Sequence, residues 1–133
     1  MHKGFLKTAA LLGLFSVAFG AFAAHSLKQY VSDYAVGIFE TGVQYQFYHV
    51  FGLLACGILY KEYQNIFISG AGKLFITGII LFSGSLYALA FIKGAVMPGY
   101  KWINAITPLG GLCFISGWLC LFLGIYKKKM SLK

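Results

Sequence analysis

The sequence predicts an all-α protein: an integral membrane four-helix bundle with both termini in the cytoplasm. Three observations carry this expectation. Hydrophobic residues make up 59% of the chain and charged residues only 11%, against about 25% charged in ordinary soluble domains. The apolar residues gather into four runs, each long enough to cross a bilayer. The lysines sit at the ends of those runs and fall mostly on one side. A water-soluble fold of 133 residues could not hide so much apolar surface. Lipid is therefore the expected solvent, and the lipid bilayer the first partner.

Crossing roughly 30 Å of hydrocarbon takes about 20 mostly apolar residues. The first run, about Thr8 to Ala24, follows Lys3 and Lys7. Its Ala21-Phe22-Ala23 end resembles the cleavage site of a secretory signal. Gly13, Ser16 and Gly20, however, stand at spacings that suit helix packing, so the segment is expected to be retained as a helix. The second run spans about Thr41 to Tyr60, and the amphipathic stretch Asp33 to Phe39 starts its helix in the interface. The third spans about Leu74 to Ile92, with a turn at Pro98-Gly99 after it. The fourth, about Thr107 to Tyr126, opens on an N-cap followed by Pro108 at the first helical position. The whole chain, 1–133, reads as one transmembrane domain.

Lysine counts set the orientation. Lys3, Lys7, Lys61, Lys73, Lys127, Lys128, Lys129 and Lys133 flank one side, and Lys28, Lys93 and Lys101 the other. Eight against three puts the N-terminus, the 61–73 loop and the C-terminus in the cytoplasm. Trp102 and Tyr100 suit the outer interfacial belt, and Tyr60, Tyr63 and Tyr126 the inner one. The net charge of +8 belongs to this flanking pattern. It forms no clustered basic face, so nucleic acid is not an expected partner.

Helices in lipid are held by close packing of small residues. Ala9, Gly13, Ser16, Gly20 and Ala24 form such a stripe on the first helix, and Cys113, Gly117, Cys120 and Gly124 on the fourth. Gly78, Ser83, Gly84 and Ser85 serve the third. Cys56, Cys113 and Cys120 lie within apolar runs without a CxxC spacing and read as small hydrophobes.

Ionisable and polar groups at membrane depth call for a functional hypothesis. Glu40, Gln44 and Tyr48 share a helix face, with His49 beside them. His25, Ser85, Tyr87, Asn104 and Thr107 are expected at similar height. The candidate ligand-binding or polar cluster is therefore His25, Glu40, Gln44, Tyr48, His49, Ser85, Tyr87 and Thr107, with Glu40, Gln44 and His49 facing the interior. No catalytic residue and no metal ligand set is assigned. HExxH, GxSxG, phosphate-loop and CxxCH patterns are all missing, and the cofactor is unknown. A bis-histidine haem is disfavoured because His25 ends its helix while His49 lies well inside.

Four segments carry a resemblance. Gly20-Ala21-Phe22-Ala23-Ala24-His25-Ser26-Leu27 resembles a Gly-Ala-Phe-Gly-Ala-His-Gly-Leu signature, with Ala23 and Ser26 where the pattern has Gly. Glu40 to His49, Phe82 to Tyr87, and Ile106 to Gly111 followed by Gly117-Trp118 resemble the other motifs. Together they are similar to the domain-of-unknown-function 423 family, related to the eukaryotic transmembrane protein 256. The resemblance implies a four-span bacterial inner-membrane protein and no activity.

Three functions fit. The first is a non-enzymatic binding or scaffold module. The second is a small transporter or channel subunit in which Glu40 and His49 bind a cation or proton; four helices enclose little volume, so this reading goes with a homo-oligomer. The third is an intramembrane redox or haem protein.

Overall fold

The computed structural model describes residues 1–95 and 101–131, with side chains through residue 92 and from 101 to 127. The elements are α1 (Lys3–His25), a 3-10 turn (Leu27–Gln29), α2 (Asp33–Leu59), α3 (Ile66–Gly78), a π segment (Ile79–Ser83), α4 (Gly84–Ala95) and α5 (Lys101–Ser131). α3, the π segment and α4 form one continuous helical run, so the long helices number four. Among the described residues there is no strand. The expected turn at Pro98-Gly99 and the interfacial Tyr100 lie outside the described residues.

Each helix start has a local cause. His2 Nδ1 accepts the Phe5 N–H at 3.1 Å, and the His2 N–H donates to the Gly57 carbonyl at 2.8 Å. The start of α1 is thereby pinned to the end of α2. Ser32 Oγ accepts the Ala35 N–H, and Asp33 in the first turn complements the helix dipole. Asn65 Oδ1 accepts the N–H groups of Phe67 and Ile68, each at 3.0 Å. Its Nδ2 donates to the Gly124 carbonyl at 2.9 Å, tying the start of α3 to the far end of α5.

Among the described residues three helical runs are long and apolar enough to cross a membrane: Lys3–His25, Ile66–Ile92 and Lys101–Lys127. α2 has the length, 27 residues, but Glu40, Gln44, Gln46 and His49 dilute its apolar character. The expected boundaries need two corrections. α3 starts at Ile66, so the expected 61–73 loop shrinks to a short turn and Lys73 becomes an exposed helical residue. α5 starts at Lys101, and Pro108 lies inside it and not at its first position. Ile103 is buried, which extends the packing face of α5 beyond the expected start. Proline there forfeits one hydrogen bond, to the carbonyl four residues back, seven residues into the helix.

α1 packs along α2, α2 packs on α3, the π segment and α4, and α5 packs on the other side of that same run. Two apolar clusters result. One holds Phe5, Ala9, Leu53, Cys56, Ile68, Phe75 and Leu121; the other holds Ala23, Leu27, Val36, Phe39, Val43 and Ala90. On α1 the buried stripe is Ala9, Ser16 and Ala23, a step of seven, while Ala24 is exposed. Large apolar side chains also cover the outside, among them Leu14, Val17, Phe51, Ile80, Ile115 and Phe122. Such a surface suits lipid. All three cysteines are free thiols.

One close approach fixes the geometry between these clusters. A Cβ on Gly110 would collide with the backbone of Phe82 in the π segment. Only glycine lets α5 cross there.

Candidate functional site

The buried polar side chains gather between the two apolar clusters. Gln46 is 3% exposed. Its Nε2 donates to the Leu12 carbonyl on α1 at 3.0 Å, and its Oε1 accepts the Tyr87 hydroxyl of α4 at 2.7 Å. Ser16 Oγ donates to the same Leu12 carbonyl at 2.8 Å. Ser83 Oγ donates to the Gly42 carbonyl at 2.7 Å, and a Cβ on Gly42 would stand 2.7 Å from the Tyr87 ring. Glycine at 42 therefore makes room for the tyrosine that reaches Gln46. Ser85 Oγ donates to the Phe82 carbonyl at 2.8 Å. A hydroxyl has one hydrogen, so the 2.6 Å contact between Ser85 and Thr107 is donated by Thr107. The π segment ends at Ser83, and Ser83 and Ser85 are both buried there; single π turns are frequent at functional sites. Among the described residues no fully occluded polar side-chain atom lacks a partner.

Beside this layer stands His49, 5% exposed. Its Nδ1 lies 2.6 Å from the Tyr45 carbonyl. A carbonyl only accepts, so Nδ1 carries the proton and Nε2 is the acceptor nitrogen of the neutral ring. The imidazole lies flat on Phe114, with centroids 3.4 Å apart and planes at 6°. Phe75 is at 5.6 Å and Trp118 at 6.0 Å. Tyr45 closes the frame by packing on Phe82 at 4.6 Å. Glycines seat these rings: a Cβ on Gly52 or Gly117 would come within 2.9 or 2.7 Å of Phe75, and one on Gly78 would collide with Phe114. Nε2 has no hydrogen-bond partner among the described residues. Since no fully occluded polar atom there is unpaired, Nε2 keeps some accessible area.

The structure divides the expected cluster. Ser85 and Thr107 bond to each other, and Tyr87 is held by Gln46. His49 is interior but meets aromatic rings and not the other polar candidates. Glu40, Gln44 and Tyr48 do share a face, but it is the outer one, and all three are exposed; His25 is exposed at the end of α1. The expected inward placement of Glu40 and Gln44 is thus corrected to Gln46. The reason is helical phase: residues two apart point about 200° apart at 100° per residue, so Gln44 and Gln46 cannot face the same way. The signal for Gln46 was available in the buried series Phe39, Val43, Gln46, Val50 and Leu53, which steps by three and four. Among the described residues no three His, Cys, Asp or Glu side chains are grouped to hold a metal.

Comparison with known proteins adds a family. The model described as "Protein of unknown function (DUF423)" matches residues 19–111, a segment that includes Gln46, His49, Ser83, Ser85, Tyr87 and Thr107. A UPF0382 membrane protein of Staphylococcus haemolyticus is 40% identical over 125 residues, covering 94% of this chain and 97% of its own. One from Haemophilus influenzae is 40% identical over 129 residues, covering 97% and 98%. The UPF0382 membrane protein YwdK of Bacillus subtilis is 37% identical over 126 residues, covering 94% and 98%. No solved structure matches.

Proposed function

This chain belongs to the DUF423 family of proteins of unknown function, and from that premise we propose that it is a non-enzymatic binding or scaffold module, a multi-pass protein of the bacterial inner membrane. The observation that carries this reading is the closure of the interior polar layer. Gln46, Tyr87 and Ser16 bond to one another or to one shared carbonyl, and Ser85 and Thr107 do the same. Groups spent in this way hold helices in register; they do not pass a solute along. Glu40 and His49, nine residues apart, lie about 180° apart around α2, which disfavours a shared cation path within one copy. The lysine bias supports both termini in the cytoplasm.

Two experiments test the reading. In proteoliposomes carrying a proton or potassium gradient, the protein is expected to leave the gradient as it is in empty vesicles. Saturable flux that disappears in His49→Gln would replace this reading with the transporter. Reporter fusions at the C-terminus and in the turn at Glu62 should read cytoplasmic, and one after Lys28 external. An external C-terminus would overturn the orientation.

A further inference from the structure

Among the described residues His49 is the one buried polar side chain with an atom, Nε2, that makes no hydrogen bond, and that atom is not fully occluded. We propose that His49 Nε2 anchors a binding site for a membrane-soluble molecule bearing a hydroxyl on an aromatic ring, a phenol or quinol type of ligand, reached from the bilayer between α2 and α5. The inference rests on the reading of the protein as a binding module and names the chemistry of what is bound.

His49 is ten residues from the end of α2 at Leu59, which is about 15 Å along the helix axis. That is the middle of a roughly 30 Å hydrocarbon layer, so what reaches Nε2 from outside must dissolve in lipid. The Tyr45 carbonyl holds the proton on Nδ1, which leaves Nε2 as a lone-pair acceptor fixed in direction. A bare acceptor in hydrocarbon is unfavourable, and a ligand that donates one hydrogen bond relieves it.

Shape selects among donors. Only 5% of His49 is accessible, so a macrocycle such as haem cannot approach the nitrogen, whereas a single O–H can. The frame is aromatic: Phe114 beneath the ring, with Tyr45 and Trp118 at its rim. Both rim residues are partly exposed, Tyr45 at 38% and Trp118 at 46%, and so offer faces to a second flat ring. An aliphatic alcohol could make the hydrogen bond but would gain nothing from those faces. No covalent or electron-transfer step is involved.

Trp118 provides the readout. Trp102→Phe leaves it as the single tryptophan, and Trp102 lies elsewhere, in the α4–α5 groove with Ile80, Ser85 and Ile103. In nanodiscs, 4-bromophenol and 4-bromoanisole are titrated at equal membrane loading; they differ by the O–H donor, and bromine quenches a nearby indole. Saturable quenching is expected from the phenol at a concentration roughly tenfold below that for the anisole, the ratio expected of one hydrogen bond. His49→Phe should make the two probes equal. Equal quenching by the two probes with His49 intact would overturn the proposal, as would a phenol preference that survives His49→Phe. If that variant does not fold, the phenol-against-anisole comparison on the His49 protein still decides. Equally tight quenching by 11-bromo-1-undecanol would overturn the ring requirement in favour of lipid alcohols. Proton or potassium flux would sink the scaffold reading without altering the phenol–anisole ratio, so the two failures are separable.

Discussion

Gln46 and His49 lie three residues apart on one face of α2, are buried to nearly the same degree, and end in opposite chemical situations. Gln46 uses its amide nitrogen on α1 and its oxygen on α4, so one side chain links three helices. His49 uses one nitrogen, and spends it on its own helix. Both would be scored alike by depth or polarity. What separates them is the atom left over: none on Gln46, Nε2 on His49. Burial of a polar group in a membrane bundle therefore does not by itself mark a site, and a wholly unpartnered atom is what makes His49 the candidate.

The crossing of α5 over the π segment seats Phe114 against Phe82 beneath His49, and breaking it should have the largest effect. Gly110→Ala drives a methyl group into the Phe82 backbone. Overpacking typically costs about 1–3 kcal/mol, and because backbone cannot rotate away, about 3 kcal/mol is expected. Its neighbour is the control: a Cβ on Gly111 meets only the Phe82 ring, at 3.9 Å, so Gly111→Ala should change stability by about 0.5 kcal/mol or less. Unfolding in mixed detergent micelles reads both. Equal effects at 110 and 111 would mean that the two helices do not cross as described.

The next effect belongs to Gln46. Gln46→Leu takes away the acceptor of the Tyr87 hydroxyl and removes both interhelical bonds, which should lower stability by about 1–3 kcal/mol. Gln44→Leu, on the exposed face, should shift it by about 0.5 kcal/mol or less. Tyr87→Phe should cost about 1 kcal/mol, within the range of interhelical hydrogen bonds in membranes. Added to Gln46→Leu it should cost almost nothing more, because the bond is already gone. Additive losses from these two substitutions would show that they do not share an interaction.

The same pair explains what the sequence made legible. Four apolar runs and most of their small residues were readable because lipid imposes length and packing rules on every helix, whereas Ala24 and Gly84, expected in the packing stripes, stand exposed. Helix ends were less so: Lys73 and Pro108 look like boundaries by composition, yet both lie inside helices because adjacent residues keep packing. Ser85, Tyr87 and Thr107 could be named from their depth alone. The choice between Gln44 and Gln46 needed the phase of α2, and that phase is set by Phe39, Val43, Val50 and Leu53 acting together. The π segment left no pattern from which it could be read. His2 as a cap for α1 was equally hidden, because histidine is not among the favoured capping residues.

The smallest expected effect is the most informative, since it concerns His49 itself. His49→Phe loses one hydrogen bond to the Tyr45 carbonyl. That carbonyl lies within α2 and keeps the backbone N–H four residues on as its partner, so nothing is stranded. The new ring occupies the same frame and can stack on Phe114 as the imidazole does. It also removes an acceptor that the protein leaves unpaired. Gain and loss nearly cancel, and the variant should unfold within about 0.5 kcal/mol of the starting protein. Gln46→Leu, measured beside it, should be clearly worse. If His49→Phe destabilised as much as Gln46→Leu, the imidazole would be serving the bundle through a second bond, and the contrast between the two residues would fall. A neutral substitution leaves a buried histidine that the fold does not require, and the reason for its presence has then to be sought in what its free nitrogen holds.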